Sequence, residues 1–270
     1  MISPPFIMYP HLPKSYKNAF PFTLSAPSFI YPDDYIPNAR LLGPFLDEIE
    51  LLCFESHPSS LPSRKTVQEL ESLAREFRFT YNVHLPSDLC PGSFIHTEQD
   101  RFVESILAVV ERTLPLTPTA YILHLPYPHS PIGNICDNAW LSRISDSLRR
   151  LNDAGMPGQA ICIETLDYPL EWITHILLEH DLSVCLDLGH LIVNRQPVER
   201  TYHRFVERIK MIHLHGVYNG KDHLSLDVFN PNRLNEICSL LQQYTGTLSI
   251  EVFSFDQLLI SLSVLERNIG

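Results

Sequence analysis

The sequence alternates eight times between a short apolar run and a longer segment with helical spacing. The apolar runs are Pro21–Ala26, Glu48–Glu55, Thr80–Pro86, Ala120–Pro126, Ala160–Thr165, Leu182–Leu188, Lys210–Gly216 and Leu248–Phe253. The helical segments are Ala39–Asp47, Lys65–Phe77, Glu98–Thr113, Ala139–Ala154, Pro169–His180, Pro197–Ile209, Asn232–Tyr244 and Phe255–Asn268. Runs such as "AICIET" and "LSVCLD" are apolar almost throughout, which is typical of strands buried on both faces of a parallel sheet. Eight strand–helix units in about 250 residues predict the α/β class and a single (β/α)8 TIM barrel.

One hydrophobic core is enough for a chain of 270 residues that is 44% hydrophobic. We therefore predict one barrel domain over residues 21–270. The proline-rich residues 1–20 are predicted to form an arm that precedes the barrel rather than a second domain.

Composition also limits where the protein acts and what it binds. Six cysteines without a CxxC pair are typical of a reducing compartment. No leader pattern opens the sequence and no run reaches the roughly 18 apolar residues of a membrane span, so we expect a cytoplasmic protein without a membrane partner. A net charge of −11 without a basic stripe argues against a nucleic-acid partner.

Most of the predicted strands end on a carboxylate or an imidazole. The "YNVHLP" and "YILHLP" segments, for example, both end an apolar run with His-Leu-Pro. The strand-end residues are Glu55, His84, His124, Glu164, Asp187, His213 with His215, and Glu251. Because the active site of a (β/α)8 barrel lies at the carboxyl ends of its strands, these side chains are expected to meet at one mouth.

Imidazole nitrogens and carboxylate oxygens gathered at one opening indicate a metal site. A single histidine at a strand end is more often a hydrogen-bonded structural residue, so the prediction depends on the joint pattern. A cation also offsets the repulsion between clustered carboxylates. We predict a divalent metal, with Zn²⁺ first and Mn²⁺ or Fe²⁺ as alternatives, in one to three ions.

Further candidate residues come from short motifs around the last strands. The segment "CLDLGH" places His190 three residues after Asp187, and "MIHLHG" puts His213 and His215 on the same side of one strand. The following loop, "GKDHLSLD", supplies Asp222 and His223.

Taken in order, "HLP" twice, "IET", "DLGH", "IHLHG" with a following "DH", and "IEVF" resemble the xylose isomerase-like, apurinic-endonuclease type 2 superfamily of metal-dependent barrels. The resemblance extends from about residue 21 to the end of the chain. It implies that the central metal ligands are Glu164, Asp187, His213 and Glu251. It further implies additional ligands at His84, His124, His190 and His223. The endonuclease pattern has an aspartate two residues before the last of these histidines, whereas this chain has Lys221 there and Asp222 adjacent to it.

The stretch Phe29–Glu55 is similar to the opening of the cobamide-remodelling phosphodiesterases of the same superfamily. This resemblance implies hydrolysis of the phosphoester in the nucleotide loop of a cobamide, with release of cobinamide. The expected partner is then a small-molecule phosphoester. In this interpretation Glu164 and Glu251 bridge the metal ions and His215 donates a proton to the leaving oxygen. The residues expected to touch the substrate are Glu55, Tyr31, Asp222 and Lys221.

Two alternatives remain open at the level of the sequence. A sugar phosphate isomerase or epimerase would need one metal, with Glu164 and Glu251 moving the proton. A non-catalytic barrel could bind a corrinoid or a sugar phosphate. The surplus histidines at positions 84, 124, 190 and 223 favour the hydrolase, because the isomerase needs only four ligands.

Overall fold

The computed structural model describes residues 9–128 and 136–269 and contains a closed barrel of eight parallel strands. The barrel strands are β1 (Thr23–Pro27), β2 (Glu48–Leu52), β3 (Thr80–His84), β4 (Tyr121–Leu123), β5 (Ile161–Glu164), β6 (Ser183–Asp187), β7 (Ile209–Leu214) and β10 (Thr247–Ile250). They pair in the order β1-β10-β7-β6-β5-β4-β3-β2, and β1 pairs with β2 to close the ring. Two short strands, β8 (Gly216–Tyr218) and β9 (Lys221–Leu224), form a separate antiparallel hairpin. The predicted single (β/α)8 barrel is confirmed.

Helices connect the barrel strands. The α-helices are α1 (Tyr35–Leu42), α2 (Arg64–Phe77), α3 (His96–Thr113), α4 (Asn138–Asp153), α5 (Thr174–Glu179), α6 (Leu188–Val193), α7 (Val198–Phe205), α8 (Pro231–Leu241) and α9 (Phe255–Ile269). Short 3-10 helices lie at Pro58–Ser60, Leu114–Leu116, Gly158–Ala160, Leu170–Ile173 and Leu226–Val228.

Helix α2 shows how local sequence sets these boundaries. The hydroxyl of Ser63 accepts a hydrogen bond from the backbone N–H of Thr66 and so caps the first turn. Val67, Leu70 and Leu73 recur at helical spacing and are buried in the hydrophobic core. The helix therefore presents one apolar face to the core.

Short elements account for three of the differences between the structure and the predicted elements. The segment predicted as one helix over 169–180 divides into a 3-10 turn and α5. Helix α6 begins directly at the end of β6, because the carboxylate of Asp187 accepts a hydrogen bond from the backbone N–H of His190 and caps it. The β8–β9 hairpin turns at Asn219 and Gly220, which both have positive φ angles. Such short elements leave little periodic signal in a sequence.

The described part of the predicted arm, residues 9–20, packs on the barrel. Leu12 and Tyr16 are buried, and the backbone N–H of Tyr16 donates to the carbonyl of Phe45. Residues 1–8 lie outside the described residues, and the boundary at residue 20 stays a prediction. None of the helices in the described ranges is long and apolar enough to cross a membrane.

Candidate metal centre

Four strand ends bring their side chains together at the mouth of the barrel. They are Glu164 at the end of β5, Asp187 at the end of β6, His213 near the end of β7, and Glu251 directly after β10. One ligand atom of each lies within 4.8 Å of the others. All four are buried, with at most 3% of their surface exposed. The set has the atoms and the spacing of a metal centre.

The strand register fixes this arrangement. Asp187 lies opposite His213 in the β6–β7 ladder. The backbone N–H of Glu251 donates to the carbonyl of Leu214 at 3.1 Å, which holds the residue beside β7 although its strand has ended. The hydroxyl of Thr165 accepts from the backbone N–H of Asp187 at 2.8 Å. The ligand positions are therefore set by barrel hydrogen bonds rather than by flexible loops.

The centre is rich in negative charge. In the described part of the chain, the cationic partners of the central carboxylates are imidazoles. Burial alone would raise the pKa of Glu164, but the imidazoles of His124 and His213 hold that pKa well below its usual range. Burial alone would lower the pKa of His190, yet Asp187 and Glu164 raise it to about 9. The neighbouring carboxylates thus favour the protonated, positively charged form of His190.

Several buried polar atoms of the centre have no hydrogen-bond partner in the described structure. They are Oε1 of Glu50, both ring nitrogens of His213, and Oε2 of Glu251. The buried polar atoms of folded proteins are rarely left unpaired, because the loss of hydration costs roughly 1–3 kcal/mol for each group. A divalent cation would satisfy atoms of this kind at this place, so the residues fit a metal ion. Carboxylate oxygen and imidazole nitrogen are ligands that suit Zn²⁺, Mn²⁺ and Fe²⁺.

The two His-Leu-Pro segments bring their imidazoles to the same carboxylate oxygen. Nε2 of His84 lies 3.1 Å, and Nε2 of His124 lies 2.9 Å, from Oε2 of Glu164. Their rings meet edge to face at 4.8 Å. Nδ1 of His84 lies 2.9 Å from the carbonyl of Leu85. The repeat therefore builds a second group of ligand atoms that shares Glu164 with the first.

A third group contains His190, His215 and His223. Nε2 of His215 lies 3.2 Å from Oδ1 of Asp187, and its Nδ1 accepts a hydrogen bond from the backbone N–H of His223 at 2.9 Å. Nδ1 of His223 lies 3.0 Å from the carbonyl of Glu251. Because Nδ1 of His215 accepts, its Nε2 carries the proton that faces the aspartate.

Gly189 is required by the packing of His215. A Cβ atom at position 189 would lie 2.0 Å from Cε1 of the His215 ring. We expect Gly189→Ala to lower the free energy of unfolding by about 1–3 kcal/mol, because the ring or the backbone must move. Urea unfolding measures the loss, and activity is expected to fall with it because His215 contacts Asp187.

The control for this prediction is Gly155→Ala. A Cβ atom there meets nothing within 4 Å, although the φ angle of 94° is unfavourable for alanine. This variant is expected to lose about 1 kcal/mol of stability and no activity. Equal activity of the two alanine variants would contradict the packing argument.

The predicted substrate residues come from three different parts of the fold. Glu55 lies beyond the end of β2, is exposed, and accepts a hydrogen bond from the hydroxyl of Ser60. Tyr31 is only 1% exposed and its hydroxyl donates to the carbonyl of Pro10, so it offers no free ring face to a ligand. Lys221 and Asp222 open strand β9 of the hairpin, where Lys221 is exposed and Asp222 is half-buried.

Sequence reasoning missed Glu50. This residue is fully buried inside the barrel on β2, and its Oε1 lies 3.3 Å from Nε2 of His213. Its other oxygen accepts from the hydroxyl of Ser249 at 2.5 Å. The sequence feature that could have identified Glu50 is its spacing of two residues from Glu48 in "EIELLCFE", which places both carboxylates on one face of the strand.

The sequence matches the family model described as the xylose isomerase-like TIM barrel over residues 38–267. This chain belongs to that family. The family predicted from the motifs is therefore confirmed, whereas its cobamide-remodelling branch is not. No curated protein sequence matches the chain.

Solved structures share the xylose isomerase-like fold over nearly the whole chain. A D-tagatose 3-epimerase-like protein matches with a TM-score of 0.74 and 20% identity, covering 92% of this chain and 97% of its own. A 3-keto-D-glucoside 4-epimerase from E. coli matches with a TM-score of 0.68 and 13% identity, covering 90% and 97%. A D-allulose 3-epimerase from Methylomonas sp. matches with a TM-score of 0.67 and 15% identity, covering 96% and 93%. Identities this low show the common fold.

The prediction of a cobamide phosphodiesterase is wrong. Most of the similar structures bear the names of sugar epimerases, which agree better with the isomerase or epimerase alternative. The hydrolase argument counted the surplus histidines as ligands of further metal ions. In this xylose isomerase-like barrel they also contact the protein itself: His84, His124 and His190 contact Glu164, and His223 contacts the carbonyl of Glu251. Their presence does not by itself indicate a phosphoester.

Proposed function

We propose that this protein is a metal-dependent epimerase or isomerase of a small sugar. The observation that carries the proposal is the pair Glu164 and Glu251, whose carboxylates both lie beside His213. Oε2 of Glu164 is 3.7 Å, and Oε2 of Glu251 is 3.3 Å, from Nδ1 of His213. Two carboxylates around one position can exchange protons with a single carbon atom.

The proposed cofactor is a divalent metal, with Zn²⁺ first and Mn²⁺ or Fe²⁺ as alternatives. The residues that would hold it are Glu164, Asp187, His213 and Glu251, and the groups around His84 and His223 offer positions for one or two further ions. When bound, such an ion polarises a substrate carbonyl and lowers the pKa of the neighbouring C–H.

Proton transfer is assigned to the two glutamates. One carboxylate removes the proton from the carbon next to the substrate carbonyl, and the other carboxyl group returns a proton to the opposite face of that carbon. In an isomerase the proton would be returned to the adjacent carbon instead. The strands β6 and β7 lie between β5 and β10, which separates the two glutamates around the mouth.

The neighbouring histidines position these carboxylates. His84 and His124 both contact Oε2 of Glu164, which restricts the rotation of the carboxylate. Both ring nitrogens of His215 contact protein groups, so we assign it to positioning Asp187 rather than to proton transfer. Burial of the centre also keeps bulk water from protonating the carbanionic state of the substrate.

The sugar class is supported by the structural neighbours. Their names refer to epimerases of tagatose, psicose and allulose, and of a 3-keto-glucoside. The combination of this fold with two glutamates at the mouth favours proton transfer next to a carbonyl over hydrolysis.

Solvent exchange tests the proposal directly. Metal-loaded protein is incubated in D₂O with D-tagatose, D-psicose and a 3-keto-glucoside, and the products are followed by NMR. We expect deuterium at the carbon next to the carbonyl together with the epimer or isomer. The expected signal disappears after chelation and returns with added metal. Absence of exchange in every sugar, or exchange that survives exhaustive chelation, would overturn the proposal.

Metal binding is expected to stabilise the fold as well. The atoms of His213 and Glu251 that make no hydrogen bond would gain a bond to the ion, so we expect the folded state to bind the ion and the unfolded chain not to. Metal at 100 times its dissociation constant should raise the free energy of unfolding by about 2.7 kcal/mol. Urea titrations of chelated and reloaded protein measure this difference, and His213→Ala should abolish it. The same difference in the variant would contradict the assigned site.

A further inference from the structure

A cleft of about 620 Å³ adjoins the metal centre on the side of β1 and β2. Its walls come from the loops after these two strands and from Phe253, which follows β10. The volume lies in the range of about 300–1,000 Å³ that is usual for small-molecule sites. None of the four central residues of the candidate metal centre lines this cleft, so it is a separate space beside the centre.

Two aromatic rings connect the cleft to the centre. Phe54 lines the cleft and meets the ring of His84 edge to face at 4.5 Å. Phe253 also lines it, with its ring 5.1 Å from that of His223. Both phenylalanines therefore contact the cleft and a histidine of the centre.

The cleft offers ring faces and hydrogen-bond acceptors. Phe29 is 52% exposed and Phe253 is 36% exposed, although both are large apolar side chains that normally avoid water. Asp33, Asp34 and Glu55 supply carboxylates in the same lining. Exposed aromatic faces pack against the C–H face of a sugar ring, and carboxylates accept hydrogen bonds from its hydroxyl groups.

The charge of the lining disfavours a phosphate. Among the described residues that line the cleft, none is a lysine, an arginine or a histidine. A phosphate group would be repelled by the three carboxylates and would find no cation to pair with. A wholly apolar occupant fits poorly as well, because it would remove water from the same carboxylates.

We propose that this cleft is a subsite for a second, uncharged sugar ring, so that the preferred substrate is a glycoside rather than a sugar phosphate. The proposal rests on the sugar chemistry proposed above for the metal centre. The reacting sugar would lie over the centre, and the attached ring would stack on Phe29 and Phe253. This refines the sequence-based alternative, which named a sugar phosphate.

The kinetic test compares three substrates of one reacting sugar: the free keto sugar, its glycoside with a second hexose, and its phosphate ester. We expect kcat/KM to be at least about tenfold higher for the glycoside than for the free sugar, and lowest for the phosphate. Phe29→Ala should reduce kcat/KM for the glycoside by about tenfold more than for the free sugar. Phe94→Ala is the matched control, because Phe94 is exposed to 64% and is not among the cleft residues.

Three results would overturn the subsite. These are preference for the phosphate, equal losses for glycoside and free sugar in Phe29→Ala, and equal behaviour of the Phe29 and Phe94 variants. A phosphate preference that disappears in Lys221→Ala would assign the phosphate to the hairpin instead.

A binding measurement separates this proposal from the proposed reaction. Isothermal titration calorimetry measures the binding of cellobiose and of glucose 6-phosphate without any turnover. Binding of cellobiose that is weakened about tenfold by Phe29→Ala supports the subsite even if no sugar is epimerised. Turnover of free sugars without binding of cellobiose would support the epimerase and reject the subsite.

Discussion

Glu251→Gln is expected to lower epimerisation by about 10²- to 10⁴-fold, the range in which positioned acid–base groups act. The amide keeps the size of the side chain and one oxygen, but it cannot exchange a proton with the substrate. Glu251 is buried after β10 and held by its backbone bond to Leu214, so the fold should be retained. Glu164→Gln is expected to show a loss of the same size.

The two variants should differ in which epimer still exchanges its proton. If each glutamate serves one face of the carbon, each variant loses exchange from one epimer and keeps residual exchange from the other. NMR in D₂O with each pure epimer gives both rates, and metal analysis shows whether the ion is retained. Full epimerisation in either variant, or identical exchange patterns in the two, would contradict the assignment of one glutamate to each face.

Glu50→Gln is expected to weaken metal binding by about 10- to 100-fold, as is usual when a group that orients a metal ligand is changed. Oε1 of Glu50 lies 3.3 Å from Nε2 of His213, while its other oxygen is fixed by Ser249. The two atoms lie at ion-pair distance without forming a hydrogen bond, so it is the negative charge of Glu50 that favours a proton on Nε2. A proton there leaves Nδ1, which faces Glu164 and Glu251, available to a metal. The neutral amide would hold that tautomer less strongly.

The matched control is Glu48→Gln. Glu48 lies two residues earlier on the same strand face, and its carboxylate is bound by Asn82, Thr80 and Thr119. Burial raises the pKa of Glu48, which makes a neutral side chain acceptable there. Metal titration of both variants is compared with their stability in chelator. A similar loss of metal affinity in the Glu50 and Glu48 variants would show that Glu50 has only a structural role.

The positions of the main site residues could be predicted because strand ends are marked in the sequence. The apolar runs of a parallel barrel stop where polar side chains begin, so Glu164, Asp187 and Glu251 were visible as endings. Glu50 was not visible in this way, since it lies inside a strand and only the closed barrel brings it to His213. Contacts between strands that are distant in the sequence depend on the register of strand pairing, which cannot be deduced from a single sequence.

The substrate could not be predicted from the same patterns. The stretch Phe29–Glu55, which suggested a cobamide, folds as a loop, helix α1 and strand β2. Its apolar residues Ala39, Leu42 and Ile49 are fully buried, so much of its pattern records packing. Glu55 was expected at a strand end, but β2 stops at Leu52 and the chain turns away into a 3-10 helix. A short resemblance of this kind specifies the fold more strongly than the ligand.

The candidate centre can be complete only after β10, the last strand of the barrel, has been synthesised and has closed the barrel. The contact between Ser249 and Glu50 joins residues 199 positions apart, and that between His84 and Glu164 joins residues 80 apart. A nascent chain that has not yet made β10 carries three of the four proposed central ligands and lacks Glu251. The complete set exists only after the last strand inserts between β1 and β7. If the proposed centre binds metal, we expect newly made protein to take up metal only once it has finished folding, and shortened or misassembled chains not to take it up.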